Sequence, residues 1–598
     1  MEFILLKLVI SKVRQWKWSP TFYVLHATYF LALGSIGTLI LFLSPENRSN
    51  SSPRYTFVDA LYMATSALTN TGLTCASIES SRYLNKFLFL VLFILGSQML
   101  VSYMPLHVKR LKYRSMILQI KESHPQDQIS SNFGINKECN YCGKLLEYNA
   151  LSLLSYVLVV YFLGLQIVGF LAIEEYLRKQ CKLSAKLVEE RTQASSTFFA
   201  YFSAVAAFSN SGLSLLDDSM VAFRKCNSVL LTHSALMMLG NTMLAPALRF
   251  ILWLLYHLSR LNNTKDGHHT MMSSCDYLLK QPRRCYTHLF PHQETMWLVG
   301  ITLGVNGLQL LLLCCLQWNS EAMFGTRLSS IHKLVNATFQ SIATRTTGEN
   351  VVNLPQISTT LRLLYLTLMY FSIYPVFLSR QRTNVSKESD HKIPTQALKL
   401  LLRDSTLLFL ALLVICTLEN HNLSMDPSNF SIFNVVFETV SAYGNVGLSM
   451  GYDCTLLSTT TSNCNQVPYS FSSKWTNSSK LVLVLLMLLG RQRGLPENID
   501  SALQMNYLSG SSQDDQKLEV LSKSSIQTPS HHISSKGSQH NEKLRKSLSV
   551  SSFETSSTHI STPPTISYIC SPISFGVISH FSPSRNSVQN TQSGASIL

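Results

Sequence analysis

Long uncharged apolar runs, separated by short polar breaks, dominate the first 500 residues. Residues 21–43 and 87–106 contain no Asp, Glu, Lys or Arg. Each predicts a helix able to cross about 30 Å of hydrocarbon. Runs of the same kind follow at 149–173, 226–248, 295–320 and 363–379. A seventh, at 400–418, carries Arg403 and Asp404. The last, 481–490, has only 10 residues and lies between Lys480 and Arg491, so it spans only if Lys480 enters the membrane layer. The pattern predicts an all-α polytopic membrane protein with eight transmembrane helices. The first run is too long, and too closely followed by others like it, for a cleaved signal peptide.

Between paired runs, one short segment recurs four times: Ala67-Leu-Thr-Asn70-Thr-Gly72, Ala207-Phe-Ser-Asn210-Ser-Gly212, Ala343-Thr-Arg-Thr346-Thr-Gly348 and Ala442-Tyr-Gly-Asn445-Val-Gly447. Each is mildly apolar, about one short helix long, and ends at a glycine. Such a piece is too short to span and suits a re-entrant loop. Irregular backbone at membrane depth needs protein or water around it, because unpaired amides and carbonyls are costly in lipid. Four loops around one axis would satisfy this by lining a water-filled pathway. Glycine lets carbonyls face that axis, and a ring of carbonyls can replace part of a monovalent cation's hydration shell. A single Asn-x-Gly would more simply end a helix or permit close packing. The fourfold recurrence carries the pathway reading, with Gly72, Gly212, Gly348 and Gly447 as candidate cation positions and Asn70, Asn210, Thr346 and Asn445 beside them.

Composition agrees with a membrane chain. Of 598 residues 46% are hydrophobic and only 14% charged, against roughly 25% charged in soluble domains. The net charge of +16 and pI near 9.2 could indicate nucleic-acid binding. Yet the basic residues cluster at alternate ends of the apolar runs: Lys7, Lys12, Arg14 and Lys17 before the first, Lys109 to Arg114 after the second, Arg249 and Arg260 after the fourth, Arg380 and Arg382 after the sixth. By the positive-inside rule those ends are cytoplasmic, as are both termini. The connector with Arg178, Lys179, Lys182 and Lys186 departs from this rule. No nucleic-acid partner is expected; lipid contact is. The last 98 residues hold 27 Ser and read as a disordered tail. Within it, Arg545-Lys546-Ser547 has the form of a basic-directed phosphorylation site.

Further charges bear on the pathway. Lys480 either faces it as an electrostatic barrier or snorkels to the outer interface. Glu349, directly after Gly348, attracts cations or, as the better fit, braces the loop, with Arg345 on the same scaffold. Asp59 and Glu438 would add to the field. The 13 cysteines are scattered, and the Cys139–Cys142 pair lacks a second ligand pair for zinc. No phosphate-binding loop or His-Glu-x-x-His site occurs. Neither enzyme activity nor a cofactor is expected, only a transported monovalent cation.

These segments, with Phe437 to Tyr452 the most specific and Gly490-Arg-Gln-Arg-Gly-Leu-Pro-Glu497 at the end, resemble the plant high-affinity potassium transporter family, within the Trk/Ktr/HKT potassium and sodium transporter superfamily. The resemblance implies four membrane–pore loop–membrane repeats around one central pore, and a homodimer with one pore per subunit. It implies that the four glycines form the filter and that Lys480 is the basic residue near the pore in the final helix. In plant members serine at the first filter position accompanies sodium selectivity; Gly72 therefore favours potassium permeability alongside sodium. The expected organisation is an N-terminal cytoplasmic segment (1–20), four units (21–106, 149–257, 295–379, 400–500), linkers at 107–148, 258–294 and 380–399, and the tail at 501–598. The expected function is sodium/potassium uptake at the plasma membrane. Alternatives are a sodium-selective uniporter and a membrane receptor or scaffold acting through its tail.

Overall fold

The computed structural model describes residues 22–44, 55–123, 135–261, 266–320, 328–383, 393–453 and 470–493. The N-terminal basic residues and the Ser-rich tail lie outside them. The described residues form helices and connecting loops, with no β-sheet among them. In chain order the main helices are α1 (Phe22–Leu43), α2 (Phe57–Leu68), α3 (Tyr83–Gly96), α4 (Gln98–Ser123), α5 (Ile135–Lys179) and α6 (Lys182–Thr192). Then come α7 (Ser196–Ser209), α8 (Asn227–Gly240), α9 (Leu244–Leu261), α10 (Asp266–Lys280), α11 (His292–Gln317) and α12 (Ser330–Thr346). The last are α13 (Thr359–Phe371), α14 (Tyr374–Arg382), α15 (Ile393–Leu418), α16 (Ile432–Gly444) and α17 (Asn477–Arg491).

Five helices among the described residues are long and apolar enough to cross a membrane, or up to seven if two bent pairs count as spans. The two pairs correspond to the runs at 87–106 and 226–248, which are broken: α3 and α4 meet at 51°, α8 and α9 at 83°. The α13–α14 run is interrupted at Ser372 and Ile373. Helix α17 has 15 residues, short of a full span. Its apolar side chains, like Val168 on α5 and Phe409 on α15, include exposed positions such as Leu485. In water such faces would be costly; against acyl chains they are solvated.

The four repeated segments make up α2, α7, α12 and α16, and they are built alike. Each begins with an extended Ser or Thr (Thr56, Ser195, Ser329, Ser431) whose hydroxyl accepts from the backbone N–H three residues on. That bond satisfies one of the amides a helix N-terminus leaves unpaired. The short helices lie innermost, and all of Tyr62 to Leu68 is buried. Helix α3 packs on α2 and α7, α8 on α7 and α12, α13 on α12 and α16, and α17 on α16 and back onto α2. The cycle therefore closes in chain order. Helices α1, α5, α11 and α15 pack outside α2, α7, α12 and α16 respectively.

Two charges that interrupt the run at 400–418 are accounted for. Asp404 is fully buried and pairs with Arg493 Nε at 2.9 Å. The Tyr443 and Tyr374 hydroxyls donate to the same carboxylate at 2.8 and 3.2 Å. Arg403 stays half exposed beside it. A disulfide joins Cys181, at the start of α6, to Cys226, at the start of α8.

Candidate functional site

The cycle of helices delivers four chain reversals to one place. In α2, α7 and α16 the helix ends in a residue with left-handed backbone: Asn70 (φ 52°), Asn210 (φ 55°) and Asn445 (φ 50°). The Asn amide N–H donates to Ala67, Ala207 or Ala442 O, and the next amide donates five residues back, to Ser66, Ala206 or Ser441 O. This is the Schellman arrangement, with Asn in place of the usual glycine. The alanine repeated in the sequence thus marks a carbonyl used to close the helix. In the third segment Thr346 remains helical, and the Thr347 and Gly348 amides both donate to Ala343 O.

All four glycines then take positive φ: Gly72 93°, Gly212 72°, Gly348 71° and Gly447 91°. Only glycine holds such values without strain. They are also in mutual contact. A Cβ on Gly72 would lie 2.7 Å from Ser211 O. One on Gly212 would overlap Thr347 O, on Gly348 Val446 O, and on Gly447 Thr71 O. The order 72, 212, 348, 447 and back to 72 is a closed ring, and the carbonyl facing each glycine precedes the next glycine in the ring.

Asn70, Asn210, Thr346 and Asn445 line a cavity of about 30 Å³ against the ring, together with Arg491. Asn210 Nδ2 donates to Met237 O at 3.0 Å and Asn445 Nδ2 to Met487 O at 2.9 Å. Thr347 Oγ1 donates to Asn210 Oδ1, and Asn445 Nδ2 to Thr71 Oγ1, so neighbouring segments are cross-tied. The Asn70 side-chain amide is buried with no hydrogen-bond partner among the described residues.

The remaining charges act behind the ring. Glu349 Oε2 lies 3.2 Å from His233 Nδ1 on α8, both fully buried. Glu438 accepts from Ser449 Oγ and the Ser472 amide, holding the chain beyond Gly447. Lys480 sits in the first turn of α17 and pairs with Asp59, in the first turn of α2, at 2.8 Å. It does not line the cavity. The charge there is Arg491, which donates to Gly96 O. Beyond the ring, Asp217 accepts from Ser77 Oγ and the Ile78 amide. Burial pushes its carboxyl above the usual range.

Sequence reading missed a second glycine series. A Cβ on Gly96, Gly240 or Gly490 would overlap the carbonyl of Leu68, Phe208 or Tyr443, two residues before each ring Asn. The available signal was the recurring Leu-Gly pair (95–96, 239–240, 489–490), obscured by unequal spacing from the ring glycines. Among the described residues no group of three or more His, Cys, Asp or Glu could hold a metal ion.

Comparison with known proteins extends over most of the chain. Cation transporter HKT2;4 of Oryza sativa is 29% identical over 490 residues, covering 78% of this chain and 91% of that protein. Potassium transporter TRK1 of Candida albicans is 33% identical over 382 residues, covering 60% of this chain but 34% of that much longer protein. The crystal structure of the potassium transporter TrkH from Vibrio parahaemolyticus aligns at 16% identity and TM-score 0.47, covering 80% of this chain and 84% of that one. Residues 17–510 match the family described as TrkH, cation transport protein. The chain is therefore a member of the TrkH family of cation transport proteins, within the Trk/Ktr/HKT superfamily.

Proposed function

We propose that this chain mediates uptake of monovalent cations, potassium together with sodium, through a filter made by the loops at Gly72, Gly212, Gly348 and Gly447. The observation that carries the reading is the closed ring of four positive-φ glycines, each facing the carbonyl before the next. Four loops presenting carbonyls to one axis can exchange for the hydration shell of a dehydrated cation. The C-terminal ends of α2, α7, α12 and α16 converge on that axis, and helix C-termini carry partial negative charge. Cations are driven by the membrane potential, worth about 2.3 kcal/mol per charge at 100 mV.

On this reading the chain comprises four membrane–pore loop–membrane units (21–106, 149–257, 295–379 and 400–500), with α17 as the eighth span. It lies in the plasma membrane with both termini cytoplasmic, and two copies associate with one pore in each. Glu349 and Lys480 serve as braces, through His233 and Asp59, rather than as ion ligands. Arg491 supplies the positive charge beneath the filter that a cation must pass.

Gly72 has the least crowded Cβ direction of the four, at 2.7 Å from Ser211 O. Gly72→Ser is accordingly the substitution most able to preserve a folded pore, and it lowers potassium permeability relative to sodium. Reversal potentials under voltage clamp, in paired potassium and sodium solutions, test this. An unchanged permeability ratio sinks the filter assignment. Sodium current alone from the native chain favours the sodium uniporter, and no current favours a receptor or scaffold.

A further inference from the structure

On the α17 C-terminal side of the ring lies a larger cavity, of about 160 Å³, lined by the ends of the third and fourth segments (Arg345 and Thr346, Gly444 and Asn445) and by residues of α1, α4, α11, α14 and α17. A water's share of liquid volume is about 30 Å³, so the space holds several small species. Its lining includes Arg345, Arg380, Arg491, Arg493 and His288, and no Asp or Glu among the described residues. Arg493 is already paired with a carboxylate, Asp404, which is not part of the lining. Arg345 is almost fully buried and, among the described residues, donates to the neutral side-chain oxygen of Asn306, at 3.3 Å. Arg491 donates to the Gly96 carbonyl and lies over the Phe30 ring, 5.9 Å from its centre. Neither meets a carboxylate within ion-pair distance among the described residues.

This is an unusual balance. A guanidinium cannot shed its proton in a protein, and a charge withdrawn from bulk water without a counter-charge is costly. Neutral oxygens and a ring face offset part of that cost, and a chamber holding two such groups retains a strong positive potential. Neutral groups able to donate complete the lining: the amides of Gln98 and Asn241 and the hydroxyl of Thr346. Guanidinium forks with amide and hydroxyl donors are the set that binds small anions.

We propose that this chamber binds a small inorganic anion, chloride or phosphate, between Arg345 and Arg491. The bound anion supplies the missing counter-charge. Resting on the transport reading above, it also lowers the barrier that Arg491 sets for a cation leaving the ring, so cation flux depends on the anion on that side.

The test uses the full chain, purified in detergent at fixed potassium concentration and ionic strength. Its melting temperature is compared in chloride, inorganic phosphate and gluconate. Chloride or phosphate raises it by at least about 2 °C over gluconate, through binding to the folded state alone. Arg345→Gln with Arg491→Gln removes at least half of the rise. Equal melting in the three anions, or a full rise in the double variant, overturns the site. Should the variants not fold, equilibrium binding of radioactive chloride to the native chain decides. One saturable site per chain, displaced by phosphate and not by gluconate, supports it; absence of saturable binding overturns it. Rubidium flux in liposomes, measured on the same preparation, separates the two claims: anion-dependent melting without flux sinks the transport reading and leaves the anion site standing.

Discussion

The third ring segment and its three counterparts reach the same backbone geometry by different means. In the first, second and fourth, an Asn with positive φ closes the helix, and a glycine near the end of the following helix (Gly96, Gly240, Gly490) lets it rest on the carbonyl two residues before that Asn. The third has neither device. Thr346 is helical, and the run from α13 to α14 contains no glycine and breaks at Ser372–Ile373. In their place stand Glu349, paired with His233, and Arg345, bonded to Asn306. What all four share is narrower than the repeat: an N-cap hydroxyl, an accepting Ala carbonyl, and a positive-φ glycine against the next segment's carbonyl. The ring constrains the glycine, while the way each loop is anchored behind it is free to vary.

The largest effect follows from that shared constraint. Gly348→Ala puts a Cβ into Val446 O and an L-residue at φ 71°. Rubidium uptake should fall at least tenfold, since left-handed backbone alone costs about 1–2 kcal/mol for an L-residue. Gly304→Ala on α11, where a Cβ meets open space, should leave uptake unchanged. Equal behaviour of the two would mean that the ring does not form the pathway.

The special anchoring of the third segment is tested next. A double-mutant cycle with Glu349→Gln and His233→Ala should give a coupling of about 0.5–3 kcal/mol in thermal stability, the range for directly bonded buried groups. A coupling near zero would break the contrast, because the third loop would then be held by something other than this pair.

The smallest effect separates the Asn positions themselves. Asn445→Ala loses the bonds to Met487 O and Thr71 Oγ1, whereas Asn70→Ala loses none. Both pay the same backbone cost, so Asn445→Ala should be the more destabilising by about 1–2 kcal/mol, two net hydrogen bonds at the low end of their range. Equal losses would show that the side-chain ties contribute nothing beyond φ.

Much of this organisation was legible in the chain. The apolar runs and the four Asn/Thr-x-Gly segments were readable because bilayer thickness and left-handed backbone each impose a local requirement on residue type. Lys480 and Arg491 were harder. Both flank the last apolar run, and the sequence pointed to Lys480 as the charge near the pathway. Helix geometry separates them by 11 residues, about 16 Å along α17 at 1.5 Å per residue. That distance takes Lys480 to Asp59 at one end and leaves Arg491 against the ring at the other. Gly96, Gly240 and Gly490 went unread for a similar reason. Their common role exists only across helices, against carbonyls at unequal sequence distances.

The sequence by itself determined that the chain is a membrane protein built on a fourfold motif, because hydrophobic length and glycine placement act within a few residues. Only the tertiary structure decided which glycine faces which carbonyl, which charges are paired and which line the chamber. Those outcomes depend on contacts between residues far apart in the chain, where Asp404 finds Arg493 and α17 closes onto α2. Pairing of that kind is fixed by desolvation, since a buried charge must find whatever partner the packed helices bring within reach.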